Sequence, residues 1–186
     1  MNVFLVGPMG SGKSAVGRQL ARRLGLGFVD SDDEIEARTG VDIAYIFERE
    51  GEAGFRQREA EVIAELARRD GLVVATGGGA IIDAGSRERM RSCGRVVYLR
   101  TSVEQQVART RRSAERPLLN NSDPRGTLAR LFEFRAPLYA AAAEFTVDTD
   151  GRKVKSVVQD IVHHLGMAAA PQEPPADPDD GNELCE

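Results

Sequence analysis

Short apolar runs alternate along this chain with longer stretches in which apolar residues recur every three or four positions. The runs at Val3-Phe4-Leu5-Val6, Phe28-Val29, Leu72-Val73-Val74-Ala75, Val96-Val97-Tyr98-Leu99 and Phe145-Thr146-Val147 have the length and composition of buried strands. Val16, Leu20 and Leu24 predict a first helix from Lys13, ended by Gly25 after Arg22 and Arg23. The carboxylates that follow the second strand favour the start of a helix through Ile35 to Arg38, with a break at Gly40. Helical patterning resumes from Asp42 to Glu50 and breaks at Gly51. It then runs from about Ala53 to Arg69 with Phe55, Val62, Ile63 and Leu66 on one side. Ser86 predicts the cap of a short helix reaching Ser92, and Thr101 with Glu104 reads as a capping box. A helix over 125–143 carries Pro137, which is expected to bend it, and a last helix spans 154–165. Strands alternating with helices predict an α/β fold: a parallel sheet covered on both faces, with ligands at the carboxyl ends of its strands.

Length and composition narrow the class. A chain of 186 residues with 41% hydrophobic and 29% charged residues predicts one globular domain with an ample core. The formal charge of −4 is uneven. Residues 168–186 hold six acidic and no basic side chains, which leaves 23 of the 29 acidic residues to face all 25 basic ones in the body. A near-neutral body lacks the basic footprint of a nucleic-acid binder. The tail over 167–186 is rich in Pro, Ala and acid with little to bury, and is expected to be disordered. No apolar run approaches the roughly 20 residues of a membrane span, and the first strand begins at residue 2 without a leader pattern, so a cytoplasmic protein is expected. Cys93 and Cys185 show no metal-ligand spacing and read as ordinary thiols.

The first candidate chemistry lies between the first strand and the first helix. Gly7-Pro8-Met9-Gly10-Ser11-Gly12-Lys13-Ser14 fits the phosphate-binding pattern Gly-x-x-x-x-Gly-Lys-[Ser/Thr] at every fixed position. In such a loop, backbone amides over Gly10, Ser11, Gly12, Lys13, Ser14 and Ala15 converge on a polyphosphate, helped by the helix N-terminus. Lys13 is expected against the β and γ phosphates, with the Ser14 hydroxyl on Mg²⁺. Thr76 follows the third strand where many ATPases carry a metal-binding Asp, so Asp30 is the better second candidate for Mg²⁺, through water. No Asn-Lys-x-Asp pattern of guanine recognition appears. Asp30-Ser31-Asp32 and Gly77-Gly78-Gly79 both fall at strand carboxyl ends, where glycines let backbone amides approach a ligand.

Taken in order, the phosphate loop, Asp30-Ser31-Asp32, Gly54-Phe55-Arg56-x-x-Glu59, Gly77-Gly78-Gly79, Arg116-Pro117-Leu118-Leu119 and Arg135-Ala136-Pro137-Leu138-Tyr139 closely resemble the shikimate kinase family over nearly all of residues 1–166. The resemblance implies a five-stranded parallel sheet flanked by helices, P-loop nucleoside-monophosphate-kinase-like, with a mobile lid at about 111–123. It implies transfer of the ATP γ-phosphoryl group to the 3-hydroxyl of shikimate, in aromatic amino-acid biosynthesis. A monomer is expected.

By the same resemblance, Asp32 holds the accepting hydroxyl, Arg56 and Arg135 clamp the substrate carboxylate, and the Gly78 and Gly79 amides meet ring hydroxyls. Arg116 reaches the phosphates from the lid, and Arg109 and Arg152 pack against adenine. These residue types suit the roles: planar guanidinium donors match a carboxylate, and a carboxylate matches a hydroxyl proton. Read singly, Arg56 and Arg135 are equally compatible with surface ion pairs and Asp32 with a helix cap. Ala15 departs from the family pattern, where Thr often follows the metal-binding Ser, as does the long acidic tail. Two alternatives stay open: a nucleotide-dependent binding or regulatory module, and a related kinase of another small hydroxy acid such as gluconate.

Overall fold

The computed structural model describes residues 1–110 and 122–166. The predicted lid, apart from residues 122–123, lies outside them, as do Arg116, the tail from residue 167 and Cys185. Five strands, β1 (Asn2–Val6), β2 (Gly27–Asp30), β3 (Leu72–Ala75), β4 (Gly94–Arg100) and β5 (Phe145–Asp148), form one sheet in the order β2-β3-β1-β4-β5. Every neighbouring pair is parallel.

The side-chain period of two sorts the strands' residues between two cores. Phe4, Val6, Val74, Val96 and Tyr98 face one layer, and Val3, Leu5, Val73, Val97 and Leu99 face the other. Helices α1 (Lys13–Leu24) and α7 (Val154–Leu165) cover the second face through Val16, Leu20, Val157, Val158 and Ile161. The first face is covered by α2 (Ser31–Thr39), α3 (Ile43–Leu66), α4 (Ala84–Cys93) and α6 (Pro124–Ala142), whose Ile35, Ile63, Met90 and Tyr139 are buried there. Helix α5 (Val103–Thr110) leads from β4 toward residue 111.

Local starts and stops follow capping chemistry, twice with a different residue from the expected one. Helix α4 begins at Ala84, capped by Asp83, whose carboxylate accepts from the Ser86 N–H at 2.6 Å. Asp83 stands earlier in the chain and takes the cap from Ser86, which is buried in the first turn. At α5 the cap falls to Ser102, whose Oγ accepts from the Gln105 N–H at 3.3 Å. The Thr101 side chain is instead turned toward Asp150, to whose carboxylate its hydroxyl donates. Gly51, at φ 70° and ψ −177°, interrupts α3, and the regular helix stops at Leu66, short of Arg69.

Register decides where chemistry collects. Asp30 pairs with Ala75, and Ala75 with Leu5, so the loops after β2, β3 and β1 leave the sheet side by side.

Candidate active site

The loop after β1 wraps the N-terminus of α1. Its last residue before the helix, Gly12, is the N-cap at φ 91°, a left-handed conformation that strains any residue with a Cβ. The Lys13 ammonium lies back across the loop, donating to the Gly7 and Pro8 carbonyls at 2.8 and 2.9 Å. Ser14 Oγ donates to Asp30 Oδ2 at 2.6 Å, so the two candidate metal ligands meet. One hydroxyl and one carboxylate are donors that suit Mg²⁺. No cluster of three or more His, Cys, Asp or Glu side chains with metal-binding geometry occurs among the described residues.

Asp30 also caps α2, accepting from the Asp32 N–H at 3.1 Å. The cap role thus belongs to Asp30, and Asp32 sits inside the first turn with its carboxylate on the cavity wall.

Two cavities adjoin at the strand ends. The first, about 250 Å³, is lined by Gly10, Gly12, Lys13, Ser14, Ala15, Thr76 and Arg109. The second, about 450 Å³, presents Arg56, Glu59, Arg135 and the Gly77 to Gly79 run against an apolar wall of Ile43, Phe47 and Phe55. Met9, Asp30, Asp32 and Gly78 line both. A larger hollow of about 610 Å³ beside α4 and the end of α6, flanked by Arg87 and Arg91, contains none of these groups.

Two arginines, Arg56 and Arg135, stand in the second cavity, whose lining also carries Asp30, Asp32, Asp33, Glu36, Asp42 and Glu59. Arg135 is 4% exposed and makes no ion pair among the described residues, and its buried Nε has no hydrogen-bond partner there. That is far from a surface ion pair. Arg56 donates to Glu59 at 2.6 Å and to Glu52 at 2.9 Å, with its guanidinium 5.2 Å above the Phe55 ring. Glu59 is 2% exposed. Burial pushes its carboxyl above the ordinary value, while Arg56 and Arg135 pull it back.

The three consecutive glycines serve proximity rather than unusual torsions, since none has positive φ. A Cβ on Gly77 would stand 2.3 Å from Glu59 Oε1 and 2.8 Å from Asp32 Oδ1, and one on Gly79 would stand 2.0 Å from Arg56 Nη1. The loop is bare so that these charged groups can press against it.

Two expected nucleotide contacts separate. Arg109 donates to the Gly10 carbonyl at 2.9 Å and the Thr149 carbonyl at 3.1 Å, bracing the phosphate loop from the first cavity's wall. Arg152 pairs with Asp160 at 2.8 Å and Ser156 at 2.7 Å and lines neither cavity. Sequence reasoning gave no role to Glu59 or Met9. The signal for Glu59 was a lone acid at i,i+3 from Arg56 on the same buried face as Val62, Ile63 and Leu66.

A family model described as shikimate kinase matches residues 9–166. The chain belongs to the shikimate kinase family. Relatives agree along the whole domain. A shikimate kinase of Pseudomonas entomophila (strain L48) is 56% identical over 164 residues, covering 88% of this chain and 95% of its own. One from Alteromonas mediterranea is 52% identical over 166 residues, covering 89% and 97%. A solved shikimate kinase from Acinetobacter baumannii in complex with shikimate superposes with a TM-score of 0.87 at 49% identity, covering 88% of this chain and 92% of that one.

Proposed function

We propose that this member of the shikimate kinase family transfers the γ-phosphoryl group of ATP to the 3-hydroxyl of shikimate. The observation that carries the reading is the pair of adjoining cavities sharing Asp32 and Gly78. A polyphosphate in the loop cavity brings its terminal phosphorus to the boundary at which Asp32 meets an acceptor hydroxyl.

Phosphoryl transfer asks a protein mainly for positioning and charge stabilisation. Lys13 exchanges the Gly7 and Pro8 carbonyls, which now hold it at 2.8 and 2.9 Å, for phosphate oxygens that carry full charge. Arg116, known here from sequence, adds a second cation from the segment after α5. Asp32 accepts or orients the hydroxyl proton. Arg56 and Arg135 hold the acceptor's carboxylate, and Ile43, Phe47 and Phe55 exclude water from the ring's apolar side. Ser14 and Asp30, which meet at 2.6 Å, would hold Mg²⁺, and the ion would supply positive charge to the phosphates. We infer a monomer working in the cytoplasm; no described helix is long and apolar enough to cross a membrane.

Phosphorus NMR of a reaction containing ATP, Mg²⁺ and shikimate tests the assignment. A phosphomonoester signal coupled to the ring proton at carbon 3 is expected. Hydrolysis to inorganic phosphate alone, or an ester at another hydroxyl, would refute it.

A further inference from the structure

Tyr139 lies one helical turn beyond Arg135 in α6 and is 1% exposed. Its hydroxyl donates to the Gly78 carbonyl at 2.5 Å. The ring is fixed by a stack on Tyr98 of β4, with centroids 5.1 Å apart and planes at 25°. Burial pushes the phenol well above its ordinary pKa, which keeps it a neutral donor.

The bond falls where the glycine run lacks other anchors. The Gly77 N–H donates to Ser31 Oγ at 2.8 Å, the Gly77 carbonyl accepts from Ala80, and the Gly79 carbonyl accepts from Ile82. The peptide joining Gly78 to Gly79 is held through its carbonyl, by Tyr139 at 2.5 Å and by Arg135 Nη1 at 3.4 Å. Glycine backbone rotates more freely than any other, so a peptide between two of them keeps its direction only if something holds it. That peptide is trans, so fixing its carbonyl toward α6 turns the Gly79 N–H the opposite way. Among the described residues neither the Gly78 nor the Gly79 N–H donates to a protein acceptor, and both residues line the 450 Å³ cavity.

We propose that Tyr139 is a positioning residue for the phosphoryl acceptor: by anchoring the Gly78 carbonyl it keeps the Gly79 N–H aimed at a ring hydroxyl of the substrate. A rotated peptide would present a carbonyl there instead, an acceptor beside the substrate's own oxygens. The inference rests on the shikimate kinase reading and deepens it.

The test compares Tyr139→Phe with Tyr98→Phe in the full chain, measuring KM for shikimate and for ATP alongside Tm. Tyr98 is a matched control, since its buried hydroxyl has no hydrogen-bond partner among the described residues. Tyr139→Phe is expected to raise the shikimate KM about tenfold, the scale of one lost hydrogen bond, and to leave the ATP KM within about twofold. Tyr98→Phe is expected to leave both constants at the wild-type level. Wild-type turnover with an unchanged shikimate KM in Tyr139→Phe would overturn the proposal alone, as would equal rises in the two variants. No wild-type turnover on shikimate would overturn the underlying reading as well. Should Tyr139→Phe not fold, amide NMR of the wild type decides: the Gly79 resonance should move on adding shikimate and not on adding ADP, and a resonance indifferent to shikimate would overturn the proposal.

Discussion

Each charged group in the candidate site has a neighbour that fixes what it can do. Arg135 is buried and makes no ion pair among the described residues, while the nearby Glu59 carboxylate is paired with Arg56, so an anionic substrate group is the natural counter-charge. Arg135→Ala is expected to raise the shikimate KM about a hundredfold, on the scale of a lost charged hydrogen bond, with the ATP KM little changed; steady-state kinetics with each substrate varied reads both. Lys13→Ala acts on the transferring group instead, and a fall in kcat of about 10² to 10³ is expected in the same assay. The phosphate-loop pattern pointed to Lys13, whereas Arg135 was singled out only by the family resemblance, its residue type alone being equally compatible with a surface ion pair. Glu59 was harder to read. Its importance lies in being buried between Arg56 and Arg135, which only the packing of α3 against the Gly77 to Gly79 loop reveals. Arg152 illustrates the converse, a cation whose described partners are Asp160, Ser156 and the Asp148 carbonyl.

At the scale of elements, the loop after β3 explains itself by what touches it. A Cβ on Gly79 meets the far end of a flexible side chain, 2.0 Å from Arg56 Nη1, so Arg56 can move aside and the fold survive. Gly79→Ala is therefore expected to shift Tm by less than a few degrees while raising the shikimate KM about tenfold or more. Gly78→Ala, whose Cβ would find its nearest atom at 3.5 Å, is expected to have the smaller effect of the two. Thermal melts and kinetics on both variants check the contrast. Strands and helices were legible because their apolar periods are unambiguous, and so was the break at Gly51. The caps at Asp83 and Ser102 were misplaced because two eligible side chains stood within three residues of each other. Only the tertiary partner, Asp150 in the case of Thr101, decides between them.

Across the whole molecule, Asp150 ties the end of β4 to the segment before α7 by accepting from Thr101 Oγ1 and the Ser102 N–H. Burial opposes its charge, but these hydrogen bonds outweigh it and hold the carboxyl below its ordinary 3.8. A depressed carboxyl stabilises the fold fully above 3.8, and that contribution is lost as pH falls through its lower folded value. Asp150→Ala should lower Tm at neutral pH, and melts at pH 7 and pH 3 should show the gap from wild type narrowing in acid. The sheet and its two cores were readable from the alternation of elements. The strand order was not, since it depends on which crossover passes over which neighbour. That order is what sets the ends of β1, β2 and β3 side by side and makes one site from three distant segments.

The central claim is that these segments join a polyphosphate cavity to a cavity for one hydroxylated carboxylic acid. ADP release from ATP and Mg²⁺, followed with shikimate, gluconate and nucleoside monophosphates in parallel, tests it most directly. Turnover with shikimate at a rate far above the other acceptors is the predicted result. Turnover with gluconate or a monophosphate and none with shikimate would contradict the account.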